Sequence, residues 1–213
     1  MPRLFNKVVK FLVASDFFLN LGWGLLSPVF ALFILQKITI GDPLKAAEVA
    51  GLSALFYWIP KSLFQIPIGI LLDKKHGERD DLRFMIIGTL LASIVPIGYI
   101  FSYEPWHIYF WQVVHAIAMA LAIPSWLAIF TRHVDKGKEA FEWSFESTSI
   151  GLGAGVAGGL GGIISGYLGF GMLFALMSGL NIISVILLLF IKKEVFVKRN
   201  GVGTILEKPV VTP

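Results

Sequence analysis

The stretch Gly69-Ile-Leu-Leu-Asp73-Lys74-Lys75-His76-Gly77-Glu78-Arg79-Asp80-Asp81-Leu82-Arg83 decides how this chain folds. Eight of the eleven residues from Asp73 to Arg83 are Asp, Glu, Lys or Arg, and long apolar runs at 49–72 and 84–101 flank them. A bilayer is crossed by ~20 apolar residues, so a charged knot this short between two such runs predicts a tight turn at a membrane surface. The turn holds two spanning helices side by side.

Outward from that turn the pattern repeats. Six apolar runs are expected to span, at 11–35, 49–72, 84–101, 108–130, 145–169 and 172–191, giving one transmembrane domain over 1–191 and a polar, disordered cytoplasmic tail over 192–213. Apolar residues make up 56% of the chain and charged ones 15%, where soluble domains carry about 25% charged. The first run is longer than the 7–15-residue core of a signal peptide and lacks a small-residue cleavage site after it. With no Cys in the chain, disulfides and thiolate metal sites are excluded. A net charge of +4 calls for no nucleic-acid partner.

The basic residues are strongly sided. Arg3, Lys7 and Lys10, then Lys74, Lys75, Arg79 and Arg83, then Arg132, Lys136 and Lys138, then Lys192, Lys193, Lys198, Arg199 and Lys208 fall on one side. Only Lys37 and Lys45 fall on the other, and Lys61 lies within a run. The positive-inside rule then puts both termini in the cytoplasm of a multi-pass inner or plasma membrane protein.

Polar residues inside the runs are spaced for function. Asp16, Asn20, Trp23 and Ser27 share one helical face, as do Ser53, Tyr57, Lys61 and Gln65. Pro28, Pro60, Pro67 and Pro124 predict bends, since proline removes a backbone donor. Gln112 and His115 share a face of the fourth run. Glu142 and Glu146 open the fifth, which continues with glycines at 151, 153, 155, 158, 159, 161, 162, 166 and 169 for close helix packing. The third run reads as peripheral and the sixth as largely lipid-facing. Ionisable groups at membrane depth cost roughly 2.5–3.5 kcal/mol on insertion scales, so Asp16, Lys61, His115, Glu142 and Glu146 are expected to face a cavity or a partner. Lys61 is expected to pair with Glu146 or Asp16, the pair releasing and accepting a proton as substrate comes and goes. His115, whose side chain ordinarily titrates near neutrality, is a relay candidate. The bland alternatives are an interfacial aspartate, a packed histidine and carboxylates set at a helix start for its dipole. One membrane-depth His without Cys or a second His offers no metal site, and no cofactor is called for.

Together these features resemble the amino-terminal six-helix half of the major facilitator superfamily of secondary transporters. In its signature between helices two and three, Gly69, Asp73 and Lys74 match in register. Gly77 comes one residue late and is followed by Glu78, where a basic residue is usual, and Arg79. Gln112, Ala116, Ala120 and Pro124 follow the family's fourth-helix spacing with Gln112 in the arginine's place, and residues 22–28 are similar to its first helix. The resemblance implies an all-α fold of two inverted three-helix repeats. It also implies alternating access for a small solute, with proton coupling as one option. Family members normally carry two such halves, so a half-size chain is expected to form a C2 homodimer or to pair with a second half-length chain. A piece of a longer transporter would read the same way. The resemblance gives Gly69, Asp73, Lys74, Gly77 and Arg79 the role of a cytoplasmic gate, with Asp73 capping the partner's fifth helix.

Two other classes compete. A membrane scaffold or accessory subunit would show no solute-dependent change, and an enzyme would need a nucleophile–base pair that His115 lacks.

Overall fold

The computed structural model describes residues 6–75 and 77–197. The first span, Lys7–Ile38, begins as α1 (Lys7–Leu26), capped by the Asn6 side chain accepting from the Val8 N–H at 3.0 Å. At Pro28 the regular helix gives way to a 3₁₀ turn (Ser27–Val29), then a short α2 (Phe30–Phe33) and a π turn (Ile34–Ile38). α3 (Pro43–Lys75), α4 (Glu78–Ile100) and α5 (Pro105–His133) follow, each overrunning its apolar stretch. α3 stays α-helical through Pro60 and Pro67, as α5 does through Pro124. A proline forfeits one hydrogen bond, and the turns around it keep theirs.

Among the described residues five helices are long and apolar enough to cross a membrane, and the last is not one rod. α6 (Glu139–Val197) has 59 residues, which at 1.5 Å each would extend about 88 Å. It turns at Gly169, whose φ of 80° and ψ of 167° suit glycine alone. Contacts with α1 show the reversal. On the amino arm, Gly153, Ala157 and Gly161 lie against Phe17, Gly24 and Leu25, the numbers rising together. On the carboxy arm, Asn181, Ser184 and Phe190 lie against Gly22, Ser15 and Phe11, the numbers running oppositely. α6 is therefore a hairpin. Its helix continues past the expected boundary at residue 191 to Val197, and the rest of the expected tail lies outside the described residues.

Packing follows a regular plan. α1 lies on both arms of α6, α5 lies on α3 and α4, and α4 joins the two groups through the carboxy arm. One core centres on Phe33, Tyr99 and Phe174, and another on Leu12, Met85 and Phe130. The sixth run is less lipid-facing than its composition implies, because its polar residues are buried connectors. Ser178 donates to the Ser93 carbonyl at 2.7 Å, Asn181 to that of Ala92 at 3.5 Å, and Ser184 meets the Ser15 hydroxyl at 2.7 Å. Small hydroxyls and amides join helices where apolar burial gives no drive between them.

α3 stands apart. Only 6% of its apolar window is buried, against 50% in α4 and in α5.

The charged turn that bounds α3 and α4 is tied down from one side. Asp81, buried in the first turn of α4, pairs with Arg132 at the end of α5, and Glu78 lies 3.8 Å from the buried His133. Acids at a helix start and bases at a helix end each oppose the local dipole, and here the two ends meet.

Candidate functional site

Two clefts open between α1 and α5. The larger, about 600 Å³, is lined by Asp16, Asn20, Trp23 and Ser27 of α1 and the turn after it, Tyr57 and Trp58 of α3, and Gln112 and His115 of α5. The smaller, about 270 Å³, is lined by Ser15, Asp16 and Asn20 with Trp126 of α5 and Trp143 and Glu146 of α6. Asp16, Leu19, Asn20, Met119 and Ile123 border both. From Ser15 to Phe30 the lining of the two covers some 22 Å of helix axis, most of a ~30 Å hydrocarbon core. The expected polar stripe of α1 is the spine of this path.

Asp16 of α1 and Glu146 on the amino arm of α6 both line the smaller cleft. The Asn20 amide donates to the Asp16 backbone carbonyl at 2.9 Å. Two carboxyls lining one cleft at membrane depth disfavour each other's ionisation. The pair is a place to hold a proton.

Toward the other end, aromatic rings assemble. Trp23 and His115 stack with centroids 3.7 Å apart and planes within 7°, and the Tyr57 ring is 4.7 Å from His115. The Lys61 ammonium lies 4.5 Å from the Trp58 ring centroid and 5.4 Å from that of Tyr57. The expected Lys61 ion pair is absent. Among the described residues no carboxylate lies within 4.0 Å of that ammonium, and π faces take the carboxylate's place. α1 presents Asp16 to α6, whereas α3 reaches the cleft from the opposite side, over α5.

The remaining candidates scatter. Gln65 and Glu142 line neither cleft, and Glu142 is buried at the start of α6 near Asp135 and Lys138. Asp73 and Lys74 are exposed at the end of α3, and Gly77 is the cap residue of α4. Trp126, Trp143 and Met119 had no polar spacing to mark them, and Trp58 is adjacent to Tyr57 instead of a helical turn away. Asp81 and Arg132 were visible as charges on one side, but not as a pair.

Long apolar helices enclosing a polar path define a multi-pass membrane protein. The profile of the Major Facilitator Superfamily matches residues 12–212, and the chain belongs to that family of transporters. No curated protein matches it.

Proposed function

We propose that the chain is a six-helix half-transporter that moves a small solute by alternating access, works as a C2 homodimer, and couples to protons through Asp16 and Glu146. The observation that carries this is the pair of clefts meeting at Asp16 and Asn20, one running toward each end of α1. Counting the two arms of α6 separately gives six spans in two groups of three. The groups exchange partners symmetrically: the first helix of each lies on the later two of the other. That is what two inverted three-helix repeats produce. The end with the Gly77 turn carries the basic excess, so it faces the cytoplasm.

The dimer face would be α3 with the amino arm of α6. α3 is left open, and Gly151, Gly155, Gly159, Gly162 and Gly166 have nothing within 4 Å of where a Cβ would stand. They share one helical face, and such small-residue stripes permit close helix approach. Asp73 would then reach the partner's α6 amino end and close the cytoplasmic side.

The test uses the natural absence of cysteine. Leu127→Cys reports on the smaller cleft and Ser27→Cys on the larger. In nanodiscs the protein should have twice its mass of 23.5 kDa. In sealed vesicles, protonation should change labelling of the two cysteines in opposite directions. A strict monomer, or two cysteines always open together, would sink the proposal.

A further inference from the structure

The larger cleft holds buried nitrogens with no partner. Among the described residues, Trp23 Nε1 and His115 Nε2 are buried without a hydrogen bond, and His115 is only 8% exposed. Indole N–H groups donate and never accept, and leaving one buried and unpaired is unfavourable. Both nitrogens belong to rings that line the same cleft and stack on each other. The Lys61 ammonium lies over Trp58 and Tyr57, whose rings line this cleft, while Lys61 itself stands just outside the lining. Lys61 brings three more donors and no acceptor.

The charge balance selects the ligand. The π faces of Trp58 and Tyr57, which would otherwise attract a cation, are already covered by Lys61. A cationic ligand would meet like charge there. Among the described residues Asp16 is the one carboxylate lining the larger cleft, and it also lines the smaller one, beside Glu146. What the cleft leaves unsatisfied is an acceptor of negative charge beside flat apolar walls. Its volume of about 600 Å³ falls within the ordinary range for small-molecule sites, roughly 300–1,000 Å³.

The geometry points to a small planar organic anion as the ligand of this cleft. Its ring lies in the wall formed by Trp23, His115, Tyr57 and Trp58. Its anionic group draws on Lys61 and on the unpaired Trp23 N–H. This rests on the transport reading for the fate of the anion but not for its binding.

Three probes of nearly one shape separate the possibilities: benzoate, benzamide and benzamidinium. Calorimetry on the nanodisc-embedded protein should find benzoate bound about tenfold tighter than benzamide, with benzamidinium weakest. Lys61→Met should bring benzoate to within about twofold of benzamide, and Lys61→Arg should restore the preference. Trp23→Phe keeps a ring and loses the donor, so it should weaken both acceptor probes. Preference for benzamidinium, equal binding of all three, or no binding of any overturns the proposal. Vesicle uptake of benzenesulfonate, a permanent anion that leaks slowly, is measured in parallel. Anion binding without uptake would overturn the transport reading and leave this one standing. Uptake of benzamidinium in preference to benzenesulfonate would do the reverse.

Discussion

Gly161→Ala is the sharpest test of how α1 is seated. A Cβ at that position would fall on the backbone carbonyl of Leu25, with the Leu25 carbon at 2.7 Å and its Cα at 3.0 Å. Backbone gives way only if the helix moves, so α1 must back off from the amino arm of α6. That opens the neighbouring contacts, where a Cβ on Gly24 would sit 2.9 Å from Ala157 and one on Gly153 2.9 Å from the Phe17 ring. Overpacking of this kind costs typically about 1–3 kcal/mol, which is roughly 5- to 150-fold in an unfolding equilibrium constant. Gly179→Ala is the control, on the carboxy arm, away from the proposed dimer face, with nothing among the described residues within 4 Å of its Cβ position. It should stay within about 0.5 kcal/mol of the parent, as surface changes do. Reversible unfolding in bicelles, by detergent titration or steric trapping, measures both. The displacement should also part Asp16 from Glu146, since they sit on the same two helices. Equal stability of the two variants would refute the seating of α1.

Other outcomes follow from single contacts. Arg132→Ala leaves the buried Asp81 carboxylate without its cation. Full burial would cost about 3–5 kcal/mol, but the Arg132 side chain is 37% exposed, so about 2–3 kcal/mol is expected. Adding Asp81→Asn should recover most of that loss, and a double-mutant cycle by the same unfolding assay checks it. Asp16→Asn removes one of the two carboxyls while keeping a polar side chain of the same size. A parent holding one proton should accumulate benzenesulfonate about tenfold per unit of imposed pH gradient, and the variant should only equilibrate it. Accumulation by the variant equal to the parent's would remove Asp16 from the coupling. Asp73→Asn should leave stability unchanged, since Asp73 is exposed, and should raise cytoplasmic labelling of Leu127→Cys. Unchanged labelling would take Asp73 out of the gate.

What could be read from the residues depended on whether neighbours along one helix were enough. The charged run at 73–83 and the apolar runs around it placed the turns, because crossing a bilayer is a matter of length and composition. Asp16, Asn20 and Trp23 were recognisable by spacing alone, and they do line the clefts together. Partners across helices were not legible. Lys61 looked in need of a carboxylate, yet Trp58 and Tyr57 stand within its reach on its own helix and no carboxylate does. Ser178, Asn181 and Ser184 looked like mild interruptions of a lipid-facing helix. Their role appears only once α1 and α4 supply Ser15, Ala92 and Ser93 opposite them.

The glycines of α6 show the same limit from another side. As a composition they announce close packing, but they divide into two faces that the order of residues does not distinguish. Gly153 and Gly161, with Ala157 between them, are filled by α1. Gly151, Gly155, Gly159, Gly162 and Gly166 are filled by nothing among the described residues. Glycine in a helix interior costs conformational entropy unless something exploits the missing side chain, and only the first face is exploited within the protomer. A second protomer on the other face would give both sets one explanation. Leucine at 155 and 159 should then leave the monomer folded and separate the dimer, and a dimer that survives both would assign the stripe to lipid.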